Sequence, residues 1–251
     1  MDGVTRARAA VLAAVLLHPS TRLHCELRML PVDEVWERFC SRDAGLPETL
    51  LTRFDTVDID ALLRRTQHVG ARIVIPGDDE WPPQLADLGA TTPWALWLRG
   101  KLLERRRSVA LVGSRSCTPY GERIAAEFAA DIANEGYPIV SGGAFGIDAA
   151  AHRGALTTPT PTIAVLACGV DVPYPAAHAA LFERIVSQGT IVSESPPGAH
   201  PTRAAFLIRN RVIAAIAYGT VVVEARFRSG ALSTYRHAAE QIGRASCRER
   251  V

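Results

Sequence analysis

From Ser108 onward, five short apolar runs recur along the chain: residues 109–112, 139–140, 163–166, 191–192 and 221–223. Between them the apolar residues fall at helical spacing. Each run is too short for a helix and has no alternating polar face to turn toward water. Strands of that kind are buried on both faces, and their alternation with helices requires parallel strands joined by crossovers. The constraint selects an α/β fold, a doubly wound parallel sheet.

The residues before this pattern behave differently. Val11, Leu12, Val15 and Leu16, then Val35, Trp36 and Phe39, then Ile59, Leu62 and Leu63 follow helical periodicity, broken by turn signals around 41–47. This predicts a small all-helical N-terminal domain over residues 1–70. From Arg72 short β-rich runs appear, at 73–75 and 94–98, so residues 71–241 are read as the α/β domain with an extension in front of it. The last ten residues, 242–251, show no strand or helix pattern. They read as a non-native tail, the translation of a sequencing adapter, with the natural chain expected to continue past Gln241.

Composition removes several classes. The first twenty residues contain an apolar stretch, but Arg6, Arg8 and His18 interrupt or flank it, and it is too short to span a membrane. The five cysteines are scattered and form no C-x-x-C pair, so neither a disulfide framework nor a zinc site is expected, and a cytoplasmic setting fits. Net charge is only +2, yet from 202 to 237 there are six arginines against the single acid Glu224. A local anion-binding surface is expected there.

In an open parallel sheet, ligands sit where strands end and helices begin, because backbone N–H groups and helix dipoles converge at that edge. The first such turn is GSRSCTP: Gly113 permits close backbone approach, Ser114 and Ser116 offer hydroxyls, and Arg115 offers a fork suited to phosphate oxygens. It is neither a G-x-G-x-x-G fingerprint nor a P-loop, and alone it is equally a tight turn with a solvated arginine. The second, SGGAFGID, supplies Ser141, Gly142 and Gly143 as an anion nest, with Asp148 read as the cap of the next helix and His152 as a satisfied packing histidine. The third, around Gly169, Pro173 and Pro175, has no clear role, and Cys168 there is read as buried packing.

The fourth region is the most specific. Arg209, Asn210 and Arg211 precede Val212, Ile213 and Ile216, which places them at or just before a helix start, where cations are sensible only if they meet an anion. After the strand TVVVE, Arg226, Phe227 and Arg228 interleave ahead of Ser229 and Gly230. Arginines for phosphates and a ring for base stacking suit a single strand of nucleic acid. Phe227 is equally well explained as an exposed loop ring.

The succession GSR, SGGAFGID, SESPPG, RNR and VVVEARFRSGALST resembles the DprA/Smf family, over about 75–241. The resemblance implies a Rossmann-like domain that binds incoming single-stranded DNA in natural transformation and recombination. It also implies a homodimer when full length, loading of the RecA recombinase and no catalytic turnover. By it, Gly113, Ser114 and Arg115 match the phosphate loop, Arg209, Asn210 and Arg211 the RNR motif, and Ser229 and Gly230 the serine-glycine turn. Arg228 stands where many members have lysine. Ala144, His178 and Tyr235 depart from common family residues.

The four strand-end loops are thus expected to form one electropositive crevice. Its phosphate contacts would come from Gly113, Ser114, Arg115, Ser141, Gly142, Gly143, Arg209, Asn210, Arg211, Arg228, Ser229 and Gly230, with base stacking near Phe206 or Phe227. No cofactor and no metal are expected. The rival is an enzyme, similar to the LOG-type nucleoside-monophosphate phosphoribohydrolases, with Glu194 and Glu224 in one crevice. That family's glycine-glycine-x-glycine-threonine-x-x-glutamate block is missing here, where the chain reads RSGALST.

Overall fold

The structure, a computed structural model, describes residues 3–16, 22–103, 106–225, 230–242 and 245–247. Helices α1 (Gly3–Val15), α2 (Arg22–Arg28), α3 (Val32–Cys40), α4 (Glu48–Thr56) and α5 (Ile59–His68) come first. The amphipathic spacing read from the sequence is what buries them: Leu12, Leu27, Val35, Phe39 and Leu51 all point into one cluster. The last of these helices opens on Asp58, whose carboxylate accepts the Ala61 N–H at 2.9 Å.

The sheet follows. Strands β1 (Ala71–Val74) and β2 (Leu96–Gly100) flank a 3-10 segment, Pro83–Thr91. Then come β3 (Val109–Val112), α6 (Pro119–Asn134), β4 (Ile139–Ser141), α7 (Ile147–Ala155), β5 (Thr162–Leu166), α8 (Ala179–Gln188) and β6 (Thr190–Ser193). The described chain closes with α9 (Arg203–Ile216), β7 (Gly219–Val222), α10 (Gly230–Ile242) and β8 (Ala245–Cys247). The strand order is β1-β2-β6-β5-β4-β3-β7-β8. The run from β6 to β8 is parallel, while β2 pairs antiparallel with both β1 and β6. The doubly wound reading holds, with an antiparallel pair added at one edge.

Every residue of β4, β5 and β6 is buried, as consecutive apolar runs require. Alternate residues of one strand serve opposite cores: Trp97, Ala164 and Leu166 join the cluster under α1–α5, whereas Leu96, Leu98, Ile163 and Val165 join the one under α9. The N-terminal helices therefore share a hydrophobic cluster with one face of the sheet. On that face Trp97 is fully buried, and its indole N–H donates to the Thr66 hydroxyl of α5 at 3.1 Å.

The order reverses at β3, from which the chain builds outward to β4, β5 and β6 on one side and reaches β7 and β8 on the other. That topological switch point leaves a crevice beyond the carboxyl ends of β3 and β7. The tail reading needs one correction. A strand was not expected after Gln241, but Ala245–Cys247 pairs parallel to β7, Val221 opposite Ser246. An edge strand offers its backbone groups to any extended segment, so the pairing needs no side-chain pattern and periodicity misses it.

Trp97→Ala removes a fully buried ring shared by the N-terminal helices and the sheet and takes away the donor to the Thr66 hydroxyl, which keeps its own bond to the Leu62 carbonyl. It is expected to lower unfolding free energy by about 3–5 kcal/mol in urea titrations. An unchanged midpoint would show that the two parts do not share this core.

Candidate nucleic-acid interface

At the switch point lies a cleft of about 610 Å³. The loop after β3 lines it with Gly113, Ser114, Arg115 and Ser116. The loop after β4 adds Ala144 and Asp148, α9 adds Arg203, Phe206, Leu207, Arg209, Asn210 and Ile213, and α10 adds Gly230, Ala231 and Thr234. Three of the four expected turns thus meet in one place.

The floor is backbone packed on backbone. A Cβ on Gly113 would stand 2.7 Å from the Glu224 carbonyl oxygen and 2.5 Å from the Ile147 side chain, so only glycine fits where β3 ends. Next to it, the Ser114 N–H donates to the same Glu224 carbonyl at 2.6 Å, and the Ser114 carbonyl accepts the Ile147 N–H at 3.2 Å. These bonds fix the height at which Arg115 leaves the loop. Its side chain is exposed and lies over the Phe206 ring, guanidinium carbon to centroid 4.6 Å.

The RNR triplet is not at a helix start. Thr202 caps α9 by accepting the Ala205 N–H at 3.1 Å, so Arg209, Asn210 and Arg211 fall in mid-helix, all three buried. Arg209 runs under the cleft and donates to the carbonyls of Gly142, at 2.8 Å, and Val165. Burial lowers its pKa to about 10, leaving it cationic at neutral pH, and Asp148 nearby offsets part of that cost. Asp148, in turn, has its pKa raised by the same burial, with Arg209 and Arg115 pulling the other way. Arg211 turns away and is held by both oxygens of Glu194 at 2.7 Å. The Asn210 amide donates to the Gly230 carbonyl at 3.1 Å, tying α9 to the start of α10.

The second loop supports the site more than it lines it. Ser141 is buried and its hydroxyl donates to the Leu111 carbonyl at 2.6 Å, which leaves no donor for a phosphate and corrects its expected role. A side chain on Gly142 would occupy the space of the Arg209 guanidinium. Gly143 turns the chain at φ 68° and its carbonyl bonds His178 Nδ1 at 3.0 Å. Asp148 is not the helix cap; it sits in the first turn of α7 and accepts the Ala144 N–H at 3.3 Å. Arg226, Phe227, Arg228 and Ser229 lie outside the described residues.

Sequence reasoning missed Arg203, Leu207 and Asp148 as cleft residues. The only available signal for Arg203 was its place one residue after a threonine cap, on the face that Phe206 and Arg209 share at helical spacing. The two carboxylates of the enzyme reading are both engaged elsewhere. Glu194 holds Arg211, and Glu224 accepts the Thr118 N–H and hydroxyl at the start of α6. Cys168 is buried, with its thiol pushed up to about 11 by burial, far from nucleophile behaviour. Among the described residues no group of three or more His, Cys, Asp or Glu could hold a metal. No described helix is long and apolar enough to cross a membrane.

His152 sits fully buried on α7. Thr162 gives its hydroxyl proton to the Ile139 carbonyl, so at 2.8 Å it accepts from His152 Nδ1–H, and Nε2 is left without a partner. Burial, then His178 and Arg209, depress its pKa from 6.5 to about 3. The unfolded chain therefore binds the proton and the folded one does not. Stability from this group is complete above about pH 6.5 and is lost as pH falls toward 3, with a slope of up to ~1.4 kcal/mol per unit. Urea midpoints measured from pH 7.5 to 4.5 should fall less steeply in His152→Gln than in the parent. Parallel curves would exclude the contribution.

The family model for DNA recombination-mediator protein A matches residues 72–245. A putative DNA processing protein DprA of Mycobacterium tuberculosis is 47% identical over 190 residues, covering 70% of this chain and 48% of that protein. The Smf protein of Escherichia coli is 43% identical, covering 67% of the chain and 46% of its own length. The chain thus spans about half the length of these relatives. Among solved structures, DNA processing protein A of Streptococcus pneumoniae superposes with a TM-score of 0.75 at 30% identity, covering 97% of this chain and 84% of that one. That of Helicobacter pylori, described for its single-stranded DNA binding mode, superposes with a TM-score of 0.66 at 29% identity, over 72% and 82%. With the family model matching most of its length and relatives of this identity beside it, the chain belongs to the DNA recombination-mediator protein A family, that of DprA and Smf.

Proposed function

We propose that the switch-point cleft binds single-stranded DNA and that the protein acts in DNA uptake and recombination without catalytic turnover. It would protect incoming strands in the cytoplasm and help load RecA, as a homodimer in its full-length form. Residues 1–70 serve as an accessory helical module to the DNA-binding domain, 71–241. The observation that carries this reading is the pairing of Arg115 with Phe206 at the mouth of the cleft. One group meets a phosphate, the other a base, and they are already in contact. Arg203 adds a second exposed cation on the same wall.

The likeness to the Helicobacter pylori protein supports the choice of ligand, and the engagement of Glu194 and Glu224 speaks against glycosidic-bond chemistry. The glycines and Ser114 shape the loop that presents Arg115. Arg209, Asn210 and Gly230 line the deeper part, while Arg211, Ser141, Gly142 and Gly143 hold that arrangement from behind. Phosphates make most of such an affinity, so binding is expected to be salt-dependent and nearly indifferent to sequence.

Fluorescence anisotropy with labelled single-stranded and duplex oligonucleotides tests it. Binding should favour the single strand, and Arg115→Ala should weaken it about tenfold or more and shallow the logarithmic salt slope by roughly one phosphate contact. A folded protein that ignores single strands, or an Arg115→Ala variant that binds as the parent does, overturns the reading.

A further inference from the structure

Tyr174 lies in the loop between β5 and α8 and is 47% exposed. Its ring stands 5.6 Å from that of Phe206 at an interplanar angle of 53°, and Phe206 in turn carries the Arg115 guanidinium. A cation, a ring on the cleft wall and a second ring outside the cavity are therefore joined through Phe206. Tyr174 itself is not among the residues lining the cavity. About half of this ring is left in water. The cleft itself carries further exposed apolar surface: Leu207 is 56% exposed on its wall, and the exposed Phe145 follows the lining residue Ala144.

The loop is fixed before any ligand arrives. Pro173 and Pro175 restrict the backbone on either side of Tyr174. At the base of the loop, the Val172 N–H donates to the Gly169 carbonyl at 3.0 Å, and Asp171 accepts the Gly198 N–H at 2.7 Å. A ring held this way loses little conformational freedom on binding.

We propose that Tyr174 is a second base-stacking platform, taking the base next to the one on Phe206, so that the strand leaves the cleft along the line Arg115, Phe206, Tyr174. The proposal rests on the single-stranded DNA reading above. Two rings inclined by 53° cannot both lie against one continuous base stack; they suit two successive bases turned apart from each other. A duplex keeps its bases paired and stacked and has no free face to offer, so the platform adds to single-strand preference. Every base has a π-face, so it adds almost no sequence preference.

The test compares the whole chain with Tyr174→Leu, Tyr174→Ala and Tyr174→Phe, each checked for folding by its thermal transition. The leucine variant keeps apolar bulk without a π-face, and the phenylalanine variant keeps the face without the hydroxyl. Tyr137→Ala is the control, an exposed ring just before β4 at the opposite edge of the sheet. Single-strand affinity by anisotropy should fall about fivefold to tenfold in the leucine and alanine variants, the scale of one stacked base, and be retained in the phenylalanine variant and the control. The salt slope should stay that of the parent, because no phosphate contact is lost, in contrast to Arg115→Ala. An oligonucleotide with one abasic site at the matching position should bind parent and leucine variant alike. Unchanged affinity in Tyr174→Leu, with Arg115→Ala still impaired, removes the platform and leaves the cleft reading standing. Loss in Tyr174→Phe equal to that in Tyr174→Leu assigns the effect to the hydroxyl and also overturns it. Absence of binding by the folded parent removes both.

Discussion

The guanidinium of Arg209 lies beneath the cleft and donates to the carbonyls of Gly142 and Val165, and the rest of the site depends on that placement. Those carbonyls belong to the ends of two neighbouring strands, so one side chain from α9 holds the carboxyl edges of β4 and β5 in fixed relation to the helix. A cation taken out of water is tolerated only when its donors are used and a counter-charge is near. Asp148 faces the guanidinium from α7; burial raises its pKa, and Arg209 and Arg115 pull it back toward the ionised form. Gly142 is glycine because the guanidinium occupies the space a side chain would need.

The cleft therefore uses one residue type for two jobs, and burial decides which. Arg209 and Arg211 are inside, engaged by backbone carbonyls and by Glu194 respectively, and give the wall its shape, with Arg209 adding to its positive potential. Arg115 and Arg203 stand outside on the same wall with their charges facing solvent. Only the second kind can meet phosphates directly. Arg209 acts at a distance, raising the local potential in a low-dielectric floor where screening by salt is weak, whereas the charge of Arg211 is met by Glu194.

Much of this was legible in the sequence because the relevant signals are local. Five apolar runs gave the parallel sheet, and Gly113 followed by Ser114 and Arg115 marked the first strand end. Phe206 could be proposed as a stacking ring. The errors were of another kind. The apolar run beginning at Val212 points to a helix start at Arg209 to Arg211, whereas the capping hydroxyl of Thr202 starts α9 earlier. A cap is one hydrogen bond, and a run of mixed residues after it leaves little periodicity to read. Ser141 looked like a donor, and only the three-dimensional neighbour Leu111 reveals that its proton is already committed. The pairing of Glu194 with Arg211 and the contact of Tyr174 with Phe206 join distant segments, which no spacing rule reports.

The central claim is that one edge of the sheet, at the switch point, receives the strand. Photo-crosslinking of a single-stranded oligonucleotide carrying 5-iodouracil, followed by mass spectrometry of the adducts, tests it most directly. The account predicts adducts on peptides containing Phe206 and Tyr174 and few elsewhere. Adducts concentrated on Tyr137 or Tyr218, exposed at the opposite edge of the sheet, would contradict it.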